Sequence, residues 1–245
     1  MELFTTETIS RTKLESWKQD AFESFAAKMT DKDNLFPCIP ATTGHRLNHF
    51  CYGFVPAPYN DLAAIQFSRL LKAYSECYRK IGNYTSLVIF YEPCEMENGN
   101  VEHYEQLFWA QLNRLTELDS VEWPSQIPQD PHDPLWEFCF HGEQYFVYCA
   151  TPAHKNRSSR HFPYFMLAIT PRWVLERFYA SEKNAAKIKA NIRKRLEHYD
   201  SIPIHPALNT YGNNDNYEWQ QYFLHDDETS LSKCPFHRKA KRTGE

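Results

Sequence analysis

Apolar residues recur at helical spacing in four stretches of the chain. In residues 12–29, Leu14, Trp17, Phe22, Phe25 and Ala26 stand among Lys, Glu and Asp, a pattern that predicts an amphipathic helix. A second helix is expected from the capping residue Asn60 to about Ile81, with Leu62, Ile65, Phe67, Leu70, Leu71 and Tyr74 turned inward. A third, over Val101–Leu118, carries Tyr104, Leu107, Phe108, Leu112 and Leu115 inward and sets Glu102, His103 and Glu105 toward water. The fourth opens at Pro171 and runs from Arg172 to about Tyr199, with a basic second half. Short apolar runs between these helices read as strands: Asn48–Val55, Ser86–Tyr91, Trp136–Phe140, Gln144–Cys149 and Tyr164–Ile169. His141-Gly142-Glu143 suits a tight hairpin, and Tyr217–Leu224 a short helix. The expected fold is a single α+β domain over residues 1–245, with a mixed or antiparallel sheet of about five strands flanked by helices.

Composition narrows the function by exclusion. Lys plus Arg number 27 against 31 Asp plus Glu, so the net charge of −4 argues against a nucleic-acid binder or an anionic-membrane binder. With 7 Gly against 15 Pro, and neither G-x-G-x-x-G nor a P-loop, a glycine-rich phosphate cradle is not expected. No run is long and apolar enough to span a bilayer, and the first residues lack a signal-peptide pattern. Seven cysteines without C-x-x-C pairs are expected to be reduced thiols of a cytoplasmic protein.

The residues able to carry chemistry fall in a few places. The loop His154-Lys155-Asn156-Arg157-Ser158-Ser159-Arg160-His161 lies between two strands and brings imidazoles and guanidinium forks to a sheet end. A solvated basic loop is the plain reading. The sharper one has Arg157 and Arg160 clamping carboxylates, such as haem propionates, and His154 supplying an axial nitrogen. Cys38, in Phe36-Pro37-Cys38, is either a buried small hydrophobe or a thiolate ligand. Cys234-Pro235-Phe236-His237 reads as half a zinc site, which Cys139 and His141 could complete in space. The Pro-rich loop Asp119–Leu135 carries Asp130-Pro131-His132-Asp133-Pro134, where turn formation competes with contact to a cationic substrate.

Taken in order, these pieces resemble the YqcI/YcgG family. The matching segments are Phe36-Pro37-Cys38, Trp109-Ala110-Gln111-Leu112-Asn113, Asp130-Pro131-His132-Asp133-Pro134, Phe138–Phe140, Gly142-Glu143, Phe146-Val147 and the His154-to-Arg160 loop. His205-Pro206-Ala207-Leu208 with Gly212, and Cys234-Pro235-Phe236, complete the series, which spans about residues 20–238 ahead of a basic tail at 239–245. The resemblance implies a haem b enzyme that N-hydroxylates a guanidine or amine nitrogen of an arginine-like small molecule with O₂. It also leaves open a haem-binding carrier or sensor, or a small-molecule-binding protein without haem. His154 is the first candidate for the iron ligand, Cys38 the rival and Cys234 the third. Asp130, Asp133, Glu143 and Glu92 are the candidate carboxylates for a cationic substrate. No reductase or flavin motif is encoded, so electrons are expected from a separate reductase or small reductant.

Overall fold

In a computed structural model of the protein, residues 2–94, 99–179, 182–208 and 216–238 are described. Gly212 and the 239–245 tail lie outside them. In chain order the elements are β1 (Phe4–Thr5), α1 (Thr6–Arg11), α2 (Ser16–Thr30), α3 (Ile39–Arg46), β2 (Phe50–Val55), α4 (Asp61–Ile81), β3 (Ser86–Tyr91) and α5 (Val101–Leu118). They continue with β4 (Phe138–Phe140), β5 (Glu143–Ala150), a 3₁₀ turn (Ser158–Arg160), β6 (Met166–Pro171), α6 (Arg172–Tyr179), α7 (Glu182–Tyr199) and α8 (Trp219–Tyr222).

The strands form one sheet in the order β1-β2-β3-β6-β5-β4. Only β2 and β3 are parallel, joined through α4; every other neighbour is antiparallel. The expected α+β domain with a mixed sheet is what forms, with six strands among the described residues where about five were expected. The extra one is β1, a two-residue edge strand too short to leave an alternating pattern. The β4–β5 hairpin closes through His141 and Gly142 at φ 52° and 75°, the pair of positive values a type I′ turn needs.

Helices cover both faces. On one, α4 and α5 bury Phe67, Leu70, Leu71, Tyr74, Leu107, Phe108, Leu112 and Leu115 against the sheet. Both helices begin at asparagine caps, Asn60 accepting from the Leu62 N–H and Asn100 from that of His103. Leu62, expected inward, sits in the first turn of α4 and is exposed, beyond the edge of the apolar stripe. Glu105, expected in water, is buried and pairs with His225 Nε2 at 2.9 Å.

On the other face, α1 and α2 pack Ile9, Ala21, Phe25 and Met29 against Tyr52, Phe54, Val88 and Phe90. The Phe36-Pro37-Cys38 segment runs into α3, with Pro40 in its first turn, where a missing N–H costs nothing. The single helix expected from Arg172 to Tyr199 is two helices, α6 and α7. No helix among the described residues is long and apolar enough to cross a membrane.

Candidate functional site

The two faces of β5 have different fates. Tyr145, Val147 and Cys149 point into the α4/α5 core. Gln144, Phe146, Tyr148 and Ala150 line a cavity of about 710 Å³, a size suited to a cofactor or small-molecule site. Its other walls come from α2, the Phe36–Ala41 segment, α6, α7 and Glu218 before α8. Phe25, Phe36, Phe50, Phe162, Met29 and Met166 make much of it apolar.

Cys38 opens into this cavity as the N-cap of α3. Burial pushes its thiol pKa up. The Ala41 backbone N–H at the sulfur and the charges of Arg160 and Arg195 act the other way. A helix start and a nearby guanidinium are the surroundings that favour a thiolate once a cation is present to receive it.

Arg160 also lines the cavity, its guanidinium 4.4 Å over the Tyr148 ring. It donates to the carbonyls of Cys149, Gln221 and Tyr222 at 3.2, 2.8 and 2.9 Å. Lys28 shares the wall. It donates to Ser158 O at 3.0 Å and lies over the Phe36 and Tyr199 rings, with burial lowering its pKa to about 8.

The other candidate residues, His154, Arg157, Glu143, Asp130, Asp133, Glu92 and Cys234, do not line this cavity. His154 is 2% exposed with both ring nitrogens engaged: Thr151 Oγ1 is 2.8 Å from Nδ1, and Nε2 donates to Leu224 O at 2.8 Å. Because the Thr151 hydroxyl meets Nδ1 and a carbonyl meets Nε2, the network assigns the neutral Nε2–H tautomer and leaves no lone pair for iron. Arg157 is fully buried and donates to Pro203 O, His225 O and Asp227 O. It ties the loop to the C-terminal strap rather than to a ligand.

Glu143 holds Arg79 through two contacts of 2.6 and 3.0 Å and accepts from the Tyr78 hydroxyl. Asp130 and Asp133 accept backbone N–H bonds from His132 and Leu135, closing the turns their Pro neighbours suggest. Cys234 is a core thiol whose pKa burial pushes up to about 12. Among the described residues, no group of three or more His, Cys, Asp and Glu side chains is placed to hold a metal ion, so the half zinc site is not completed.

His154 yields a direct prediction. Burial lowers its pKa to about 4, so the folded protein holds a neutral imidazole where the unfolded chain takes up a proton. Its contribution to stability is fully present above the ordinary His pKa of about 6.5. As pH falls toward 4 that contribution is lost, by an amount on the order of 3 kcal/mol. An NMR titration should find this ring neutral down to about pH 4, and a ring titrating near pH 6.5 would contradict the hydrogen-bond assignment.

A group the sequence did not single out stands elsewhere in the cavity wall. Arg172 Nε donates to Glu137 Oε2 at 2.6 Å, and its NH2 group donates to Glu218 Oε2. Glu218 Oε1 lies 2.8 Å from the Tyr222 hydroxyl. All three charged residues are buried and line the cavity. Burial, opposed by Arg172 and reinforced by Glu137, raises Glu218 to about 7. A charge inside the apolar run Trp136–Phe140 was the available signal for Glu137.

With this geometry in view, comparison with known proteins places the chain. The model of the YqcI/YcgG family matches residues 25–237. YqcI of Bacillus subtilis (strain 168) is 45% identical over 239 residues, covering 96% of this chain and 94% of YqcI. YcgG of the same organism is 44% identical over 226 residues, covering 91% and 89%. DcsA of Streptomyces lavendulae, named as a proposed N(omega)-hydroxy-L-arginine synthase, is 31% identical over 242 residues, covering 96% and 89%. No solved structure gives a significant match. The chain belongs to the YqcI/YcgG family.

Proposed function

We propose that this chain is a haem-dependent oxygenase that N-hydroxylates a guanidine or amine nitrogen of an arginine-like small molecule. The observation that carries the reading is the meeting of Cys38 and Arg160 in one aromatic-walled cavity. The full-length likeness to a protein named for hydroxyarginine synthesis supports the reaction class. The residues present fit a haem b, which would need one ligating atom, apolar walls and cations for its two carboxylates. Cys38 can give the thiolate, the Phe and Met side chains the walls, and Arg160 and Lys28 the cations. A haem iron held there by a thiolate would supply the activation of O₂. The balance needs two electrons and two protons, with one oxygen atom entering the product and the other leaving as water. The electrons come from a separate reductase or small reductant.

In this arrangement Cys38 takes the place that the sequence favoured for His154. The Ala41 N–H at the start of α3 and the Arg160 charge oppose the burial that raises the Cys38 pKa, and Pro37 and Pro40 restrain the segment that presents the sulfur.

The test is haemin titration followed by the ferrous-CO spectrum. Wild-type protein and His154→Gln are expected to take up haem and give the red-shifted Soret band of thiolate ligation. Cys38→Ser should lose that band and bind haemin about tenfold or more weakly. A colourless wild type that ignores haemin would overturn the reading, and a Cys38→Ser protein with an unchanged spectrum would overturn the ligand. With a reductant and O₂, L-arginine should gain one oxygen atom by mass spectrometry; bound haem without product from any guanidine or amine would leave a carrier or sensor.

A further inference from the structure

The cavity changes character along its length. Ala150, Tyr148, Phe146 and Gln144 follow one another along one face of β5. Met166, Ala168 and Thr170 run beside them on β6, paired as Ala150–Met166, Tyr148–Ala168 and Phe146–Thr170. Arg172 is the next cavity residue after Thr170. At ~3.3 Å per residue, Gln144 lies about 13 Å along the strand from Tyr148.

The Tyr148 end is cationic. Arg160 stacks on that ring, the Tyr148 hydroxyl donates to Ser159 O, and Lys28 donates to the neighbouring Ser158 O. The Gln144 end carries Glu137 and Glu218 on either side of Arg172. The same cavity thus offers cations at one end and carboxylates at the other.

Buried charge of this kind seldom stabilises a fold better than apolar residues of the same size would. Glu137 and Glu218 are 2% and 3% exposed, and their wall faces space large enough for a ligand. Within the trio, two carboxylates face one guanidinium. The Tyr222 hydroxyl at Oε1 and Arg172 at Oε2 fix the plane in which the Glu218 carboxylate meets the cavity.

We propose that Glu218, supported by Glu137, is the specificity-determining carboxylate that receives the cationic nitrogen group of the substrate, guanidinium or ammonium, at the Gln144 end of the cavity. This rests on the reading of the cavity as the oxygenase site and deepens it by assigning the substrate's end. An incoming cation favours the ionised carboxylate. Bonds from its N–H groups replace the water that Glu218 gives up on folding. A neutral isostere of the same shape cannot do this and leaves the carboxylate without that partner.

Isothermal titration of the purified protein with two ligand pairs tests the assignment. L-arginine and L-citrulline differ at the guanidinium; L-lysine and L-norleucine differ at the ammonium. Wild type is expected to prefer the cationic member of at least one pair by about tenfold or more, and Glu218→Gln to reduce that preference to about threefold or less. Glu137→Gln should give an intermediate loss, and circular dichroism should show both variants folded. Equal binding within both pairs in wild type, or a preference that survives in Glu218→Gln, overturns the proposal. The readout does not depend on haem. A colourless protein that still discriminates keeps this assignment while the oxygenase reading fails, and a haem-loaded protein that does not discriminate fails it alone.

Discussion

Arg157→Ala is expected to lower stability by about 3–5 kcal/mol, the cost of breaking a buried charged network from one side. The side chain is fully buried and its donors reach three carbonyls, those of Pro203, His225 and Asp227, at 3.2, 2.9 and 2.7 Å. Its backbone N–H joins those of Lys155 and Asn156 around the Asp226 carboxylate. Asp200, 3.8 Å from the guanidinium, accepts from Ser159 N and Oγ. One residue therefore pins the 154–161 loop to two later segments. Truncation leaves three carbonyls without their Arg157 donor and takes the facing charge from buried Asp200, which keeps its bonds from Ser159; Arg157→Lys recovers little because one ammonium cannot span the three carbonyls. Denaturant midpoints measure the loss, and hydrogen exchange should show it first in residues 154–161 and 224–229. A wild-type midpoint in Arg157→Ala would contradict this account. Because Arg160 follows within the same turn, haemin affinity should fall together with stability.

The contrast between Arg157 and Arg160 shows how far sequence reading reaches into this site. Both are buried arginines of one loop, and their spacing suggested a matched pair of carboxylate clamps. The 3₁₀ turn at Ser158–Arg160 sends them to different places, one into the C-terminal strap and one to the cavity wall. That separation depends on carbonyls of residues 203–227, more than forty positions away, which no local pattern reports. His154 is similar: its types of partner, a hydroxyl and a carbonyl, are invisible in a string of letters. Local signals served best where they repeat. The stripes of α4 and α5 were readable from periodicity and their asparagine caps. α3 was hidden because Pro40 and Gly44 look like breakers, although Pro40 lies in the first turn and Gly44 allows close approach: a Cβ there would meet Tyr84 O at 2.2 Å. Glu137, Arg172 and Glu218 come from three distant segments, so only the folded sheet reveals them as one cluster.

Arg172→Met should destabilise the protein by about 3–5 kcal/mol at pH 8 and by clearly less at pH 5. At pH 8 the variant faces Glu137 and Glu218 toward an apolar cavity without the guanidinium between them. Glu218 already has a pKa raised to about 7 by burial, so between about 4.5 and 7 the folded state binds a proton that the unfolded chain has released. Its contribution is therefore most favourable below about pH 4.5 and declines as pH rises through 7. Removing Arg172 takes away the charge that opposes burial at Glu218, so that pKa rises further and the decline becomes steeper. At pH 5 Glu218 folds as a neutral acid, and much of the electrostatic cost is absent. Adding Glu137→Leu and Glu218→Met to Arg172→Met should recover most of the loss at pH 8, because apolar replacement of a whole buried charge cluster is often neutral or stabilising. The same triple variant should lose the preference for arginine over citrulline. Urea midpoints at the two pH values decide the matter: an equal loss at pH 5 and pH 8 would mean that Arg172 supports the fold through packing alone. Recovered stability together with lost discrimination would show charges held in the cavity wall at a cost to the fold.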